Sequence, residues 1–149
     1  MNDADRVIFV FGSNLAGRHG KGAALHAREK WGAIPGKGEG LQGHSYGIAT
    51  KDHLLKVRPL PEIARSVATF LAFAEKEPSW AFVVTRVGCG LAGYGDKEIA
   101  PLFKDAPGNC LLPTGWRPTP VSLEASPLAT RPDVERARWL ESLKDVVVG

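Results

Sequence analysis

The chain has 149 residues, a length typical of one domain, and a hydrophobic fraction of 44% that suffices for a buried core. Its formal net charge of +3 favours an anionic ligand, but this excess is too small by itself to indicate a nucleic-acid-binding protein. The only two cysteines, Cys89 and Cys110, have neither disulfide-framework nor metal-ligand spacing, so reduced thiols, no metal and no cofactor are predicted. No apolar run approaches the roughly 18 residues of a membrane span, and the predicted location is cytoplasmic.

The first half of the chain predicts two strands with a helix between them. Residues 6–11 form a continuous apolar run, as in a strand that is buried on both faces. Residues 22–31 carry small and apolar side chains near helical spacing and predict a helix that Gly32 ends. The glycine-rich residues 32–43 predict a flexible connection, and residues 45–50 predict a short strand.

The second half predicts two further helices and two strands. Residues 61–76 predict an amphipathic helix with a proline in its first turn, and residues 81–87 predict a strongly apolar strand. Asp96 is predicted to cap a helix that runs to Lys104, and residues 109–112 predict a last strand. This alternation predicts an α/β fold: a three-layer α/β/α, Rossmann-like domain with a mixed, mostly parallel sheet.

The composition changes at Pro113. Prolines recur from there to Pro132, which is typical of a linker or an arm that follows the surface. Residues 133–146 predict a helix that docks on its own domain or on a partner subunit, because a lone helix of this length is marginal in water. We therefore predict a domain at 1–113 and an arm at 114–149, through which the chain could form a homo-oligomer.

A glycine-rich loop follows each of two apolar strands. The first loop spans residues 12–22 (GSNLAGRHGKG) and the second spans residues 88–95 (GCGLAGYG). A glycine-rich turn between a strand and a helix presents backbone N–H groups and the positive end of the helix dipole, and α/β proteins commonly hold phosphate in this way. Two such loops predict a ligand with more than one phosphate, or a phosphate and a sugar. The predicted ligand-binding residues are Gly12, Ser13, Asn14, Gly20, Lys21, Gly22, Gly88, Cys89, Gly90, Leu91, Ala92, Gly93 and Tyr94.

These motifs resemble those of macro domains. In that family an asparagine at a strand end leads into a glycine-rich loop and a helix, as Asn14 does here, and the site binds ADP-ribose. The segment 85–91 (TRVGCGL) is similar to the phosphate loop of the branch that removes ADP-ribose from acidic side chains and nucleic acid, and so is 46–51 (YGIATK). Together with the glycine-rich insert near residues 41–43, the loops resemble those of small macro-like proteins of bacteria and phages more than those of this branch. The resemblance covers residues 6–113.

The resemblance implies a macro-like fold that binds ADP-ribose or a related nucleotide, with hydrolysis of an ADP-ribosyl bond as the implied reaction. It assigns to Asn14 the orientation of ribose and water, and it places Lys37 near the lysine which that branch uses. The branch has an aspartate where this chain has Ala92, and Asp96 is the nearest carboxylate that could substitute. His19 is a further acid–base candidate. The predicted catalytic residues are Asn14, Lys37, His19 and Asp96.

Several interpretations stay open at this level. Asn14 could instead form an Asx-type turn at the strand exit, and Cys89 could be a small inert residue between two glycines. For the whole chain, an ADP-ribosyl hydrolase competes with a non-catalytic sensor or sequestering protein for a nucleotide in phage–host conflict. A nucleic-acid-binding protein is a third class, which salt-dependent binding would reveal, and a structural domain without any ligand is a fourth.

Overall fold

A computed structural model describes residues 6–117, and the predicted C-terminal helix at 133–146 lies outside this part of the chain. The strands are β1 (Val7–Asn14), β2 (Gly40–Gln42), β3 (Ser45–Lys51), β4 (Ala81–Val84) and β5 (Cys110–Leu111). The helices are α1 (Gly22–Lys30), α2 (Leu60–Lys76) and α3 (Asp96–Ile99), and α3 continues into a 3-10 helix at Ala100–Phe103. The predicted α/β class is confirmed.

The five strands form one mixed sheet in the order β2-β3-β1-β4-β5. The central strand β1 pairs in parallel with β3 and with β4, and β4 pairs in parallel with β5. Only β2 runs antiparallel to its neighbour, β3. The chain leaves β1 toward one side of the sheet, and α2 then carries it back across to β4 on the other side. The loops after β1 and β4 therefore diverge at the carboxyl edge, where open α/β sheets commonly bind ligands.

Alternate residues of β1 enter two different cores. Phe9 and Phe11 pack with the small face of α1, whose Ala23 and Ala27 are fully buried. Ile8 and Val10 belong to the other core, which α2 and the 3-10 helix cover. Because successive side chains of a strand point to opposite faces, an unbroken apolar run is what a strand between two helical layers requires.

The strand predicted at 6–11 continues to Asn14, so Gly12, Ser13 and Asn14 of the predicted first loop belong to β1. Two further predictions also differ from the structure. The strand predicted to reach residue 87 ends at Val84, and the chain turns directly after it, where the N–H of Val87 donates to the carbonyl oxygen of Thr85 at 2.8 Å. The N–H and the hydroxyl of Thr85 both donate to the carbonyl oxygen of Val10, at 3.1 and 2.8 Å.

The stretch predicted as a flexible connection contains β2, whose Gln42 side chain is buried and accepts the N–H of Ile34 at 2.8 Å. Flanking glycines conceal this strand from sequence reasoning.

The helix predicted at 96–104 differs in its start and in its length. Gly95, not Asp96, is the N-cap residue, and its N–H donates to Oε1 of Glu98 at 3.0 Å. The α-helix gives way to a 3-10 helix after Ile99, since Pro101 has no N–H to continue the α-helical ladder. The carboxylate of Asp96 is thereby left to interact with other residues.

The glycine-rich stretch at residues 32–43 contacts the first loop through backbone atoms. A Cβ at Gly38 would lie 2.2 Å from the carbonyl oxygen of Asn14, and a Cβ at Gly17 would lie 2.3 Å from the carbonyl carbon of Gly36. Gly17 also has φ +71°, which disfavours any other residue. Part of the glycine content of this region therefore serves close packing, which holds the first loop in place.

Candidate ligand-binding site

A cavity of about 350 Å³ lies at the carboxyl edge of the sheet, within the size range of small-molecule sites. Three segments line it. The first loop and its flanks contribute Gly12, Ser13, Asn14, Arg18, Gly20, Lys21 and Ala24. The end of β3 and the loop after it contribute Thr50, Lys51 and Leu55, and the second loop with the residue before it contributes Val87, Gly88, Leu91 and Ala92. Both predicted loops thus face one cavity.

The charged side chains of this lining are all cations. They are Arg18, Lys21 and Lys51, and no aspartate or glutamate of the described residues lines the cavity. The ion pairs found between residues 6 and 117 connect Arg58 and Arg86 to carboxylates elsewhere, and none of them involves the three lining cations. Cations without a carboxylate partner in this part of the chain give a partly enclosed cavity a positive potential that attracts anions.

Helix α1 begins at the edge of the same cavity. Its N-cap residue, Lys21, has extended backbone and forms no side-chain cap hydrogen bond, and its first turn carries no acidic residue. The first N–H groups of a helix have no intrahelical partner, and the helix dipole adds partial positive charge at this end. The start of α1 therefore reinforces the positive potential of the lining cations.

Asn14 bridges the first loop across one turn. Its Oδ1 accepts the N–H of Arg18 at 2.9 Å, and its Nδ2 donates to the carbonyl oxygen of Arg18 at 2.8 Å. The side chain thus bonds locally to its own loop, but over four residues, whereas the Asx turn that remained open in the sequence spans two. One hydrogen on Nδ2 remains for a further acceptor. The side chain thus fixes the backbone that carries Arg18, while Asn14 itself lines the cavity.

His19 and Lys37 lie outside the cavity lining. The imidazole of His19 is 2% exposed, and its Nε2 is 3.0 Å from the carbonyl oxygen of Lys37 and 3.2 Å from Oε1 of Gln42. The ring packs edge-on against Phe11, at 5.3 Å between centroids. His19 therefore attaches the glycine-rich stretch to the first loop, and the Lys37 side chain is exposed at the surface of that stretch.

Asp96 also lies outside the cavity and binds three neighbours instead. Its carboxylate accepts hydrogen bonds from Arg86 at 2.6 Å, from the Trp116 indole at 3.0 Å and from the Cys89 thiol at 3.6 Å. Partial burial opposes ionisation of Asp96, but the bonds from Trp116 and Arg86 outweigh it and lower the pKa of the carboxyl group. Asp96 is therefore a charged structural anchor below the second loop.

Cys89 is a poor nucleophile in this environment. Burial, and next the adjacent charge of Asp96, raise the pKa of its thiol to about 11, so the protonated form predominates at neutral pH. A thiol reacts as its thiolate, and a reactive cysteine needs the opposite shift. This favours the interpretation of Cys89 as an inert small residue in the second loop.

Tyr94 attaches the second loop to the segment that follows β3. Its hydroxyl donates to the carbonyl oxygen of Arg58 at 2.6 Å, and its N–H donates to the carbonyl oxygen of Gly88 at 2.9 Å.

Like Tyr94, several other predicted ligand-binding residues are absent from the cavity lining. They are Gly22, Cys89, Gly90 and Gly93.

Six residues of the lining were not among the predicted ligand-binding residues. They are Arg18, Ala24, Thr50, Lys51, Leu55 and Val87. Thr50 and Lys51 end β3, which neighbours β1, so the rule that ligands bind at the carboxyl ends of parallel strands could have found them. Leu55 carried no signal, since it is one leucine in a polar connection.

The sequence matches no family model, no curated protein and no solved structure. Between residues 6 and 117, no helix is both long and apolar enough to cross a membrane. Across the same residues, no three His, Cys, Asp or Glu side chains are grouped to hold a metal ion.

Proposed function

We propose that this chain binds ADP-ribose or a related nucleotide, with the phosphate groups held in the cavity between the two glycine-rich loops. The observation that carries the proposal is the cationic lining: Arg18, Lys21 and Lys51 face one cavity, and none of its lining residues between 6 and 117 is a carboxylate. Hydrogen bonds between such cations and phosphate oxygens are stronger than neutral ones, and a guanidinium can bind two oxygens at once.

The backbone supports the same assignment. The start of α1 lies at this cavity without a side-chain cap, and helix N-termini bind phosphate through backbone N–H groups. From the second loop, which follows β4, the buried residue Gly88 lines the same cavity. A phosphate ligand would therefore contact side-chain cations and backbone donors from both loops.

We propose binding, without turnover, as the function of this site. Hydrolysis of an ADP-ribosyl bond calls for a group that activates water, most often a histidine or a carboxylate. The titratable groups of the described lining are arginine and lysine, while His19 and Asp96 have their hydrogen bonds elsewhere. A sensor or a sequestering protein for a nucleotide needs only the binding step.

The test is calorimetric titration of the full chain with ADP-ribose, AMP, ribose 5-phosphate and inorganic phosphate, on wild type and on Gly20→Glu. A Cβ at Gly20 meets nothing within 4 Å, so the substitution fits while adding a carboxylate at the cavity. We expect it to weaken binding of the phosphate compounds by about tenfold or more, through repulsion of the ligand and pairing with the lining cations.

Two variants serve as controls for this titration. Gly20→Gln has nearly the same size without the charge and should retain most of the affinity. Gly108→Glu adds the same carboxylate at another glycine with open space around it, outside the cavity lining, and should bind as wild type does. The proposal is wrong if no phosphate compound binds, or if Gly20→Glu binds them as tightly as wild type.

A further inference from the structure

The cavity that the cations line has apolar lining residues as well. Leu55, in the loop after β3, and Leu91, in the second loop, both line it, although 40% and 57% of their surfaces are exposed. Val87 and Ala92 add to this apolar lining. Single exposed leucines are ordinary, but here two on different loops line the same cavity as the cations.

Leu55 adopts a backbone conformation that is unfavourable for leucine. Its φ is +63°, and no other non-glycine residue between 6 and 117 has a positive φ. The surrounding loop enforces this conformation, since Oδ1 of Asp52 accepts the N–H groups of Leu54 at 2.8 Å and of Lys56 at 3.0 Å. Lys51 also pairs with Val57 across the loop. Backbone strain of this kind concentrates at functional sites, including ligand clamps.

We infer that Leu55 and Leu91 form a subsite for the base of a nucleoside phosphate. The inference depends on the proposed function, because it requires that the lining cations hold the phosphate of the same ligand. A planar ring placed there would remove apolar surface of both side chains from water. The ligand class is therefore a nucleoside phosphate, in preference to a sugar phosphate or free phosphate.

This apolar subsite would favour ligands that have a base, but it would not distinguish one base from another. Leu55, Leu91 and Ala92 offer no hydrogen-bonding side chain to the edge of a base. One side-chain hydrogen bond to the base edge would separate two purines by about fivefold. We expect AMP and GMP to differ by less than that, and both to bind about tenfold or more tightly than ribose 5-phosphate, which has no ring to bury.

Two variants remove the subsite and leave the lining cations unchanged. Leu55→Gly deletes the side chain at a position whose positive φ glycine adopts freely, and Leu91→Ala truncates the second leucine. The matched control is Leu54→Ala, since Leu54 is 76% exposed and lies outside the cavity lining. Each protein is titrated with AMP, GMP and ribose 5-phosphate.

In both subsite variants we expect AMP and GMP to lose most of their advantage, while the affinity for ribose 5-phosphate stays within about twofold of wild type. Leu54→Ala should retain the full advantage. If wild type binds AMP and ribose 5-phosphate equally, the subsite is wrong although the proposed function stands. If the affinities for AMP and GMP differ tenfold or more, a group at the site recognises the base, and the expectation that the subsite accepts either base is wrong. If none of them binds, the proposed function fails and the subsite with it.

Discussion

At the residue scale, the surroundings of the predicted chemical groups decide what these groups can do. Asp96 is the residue type of a general acid or base, and Cys89 is the residue type of a nucleophile. The two side chains hydrogen-bond to each other, however, and Asp96 also bonds to Arg86 and Trp116. The shared hydrogen bond favours a protonated thiol next to an ionised carboxylate. Both groups are thereby held in forms that suit a structural contact.

The reactivity of Cys89 tests this account. With its pKa raised to about 11, Cys89 should react with iodoacetamide at pH 8 about tenfold or more slowly than an ordinary exposed cysteine. Asp96→Asn removes the negative charge, so it should lower the thiol pKa and accelerate the reaction. Mass spectrometry locates the label, and Cys89→Ser is the control for reaction at Cys110, which is buried and has its pKa raised to about 12. Equal rates in wild type and Asp96→Asn would contradict the role of the carboxylate.

At the element scale, the first loop is held by a neighbour that looks like a flexible connection in the sequence. The glycine-rich stretch before β2 contacts the loop through backbone atoms, and His19 adds a buried bond to the carbonyl oxygen of Lys37. The position of Arg18 at the cavity therefore depends on a segment that does not itself line it.

Two alanine substitutions separate close packing from backbone conformation in this region. Gly17→Ala would place a Cβ 2.3 Å from Gly36 at positive φ, and we expect a loss of about 3 kcal/mol or more in the free energy of unfolding. Gly36→Ala is the matched control, because it also has positive φ but open space for the Cβ, and about 1–2 kcal/mol is expected. Urea unfolding measures both. A Gly17 effect no larger than the Gly36 effect would contradict the packing argument.

At the scale of the whole molecule, the last residues that the structure describes, Trp116 and Arg117, still pack against the domain. Trp116 is 5% exposed, packs against Phe103 with tilted rings at 5.2 Å between centroids, and belongs to the larger core. Arg117 donates to three carbonyl oxygens, those of Ala106, Pro107 and Cys110. Packing therefore continues beyond Pro113, while the predicted division into a domain and an arm stays a prediction.

The contribution of Trp116 to global stability can be measured directly. Trp116→Ala should lower the free energy of unfolding by about 3–5 kcal/mol, as for other buried tryptophans. Trp116→Phe keeps a ring against Phe103 and loses the N–H bond to Asp96, so a clearly smaller loss is expected. Chemical denaturation with a fluorescence or circular dichroism readout gives both values. If the alanine variant unfolds like wild type, this packing does not stabilise the domain.

Between residues 6 and 117, local patterns were sufficient for the type and the order of most helices and strands, although not for β2. The buried strand that became β1 has an unbroken apolar run, and α2 has a clear amphipathic period, so burial on two faces or on one face is recorded in the residues themselves. The order of these elements then led to the α/β class. It also placed two glycine-rich loops after parallel strands.

Only the tertiary structure decided which side chains meet. Arg18, Lys21 and Lys51 come from different segments, and their shared cavity depends on the strand order. His19 turned away from that cavity and Asp96 bonded elsewhere, because each found a partner distant in sequence. Periodicity and propensity depend on near neighbours, whereas a site forms from contacts between segments that the fold brings together. The sequence by itself therefore determined the α/β class, and the tertiary structure decided the strand order and the composition of the site.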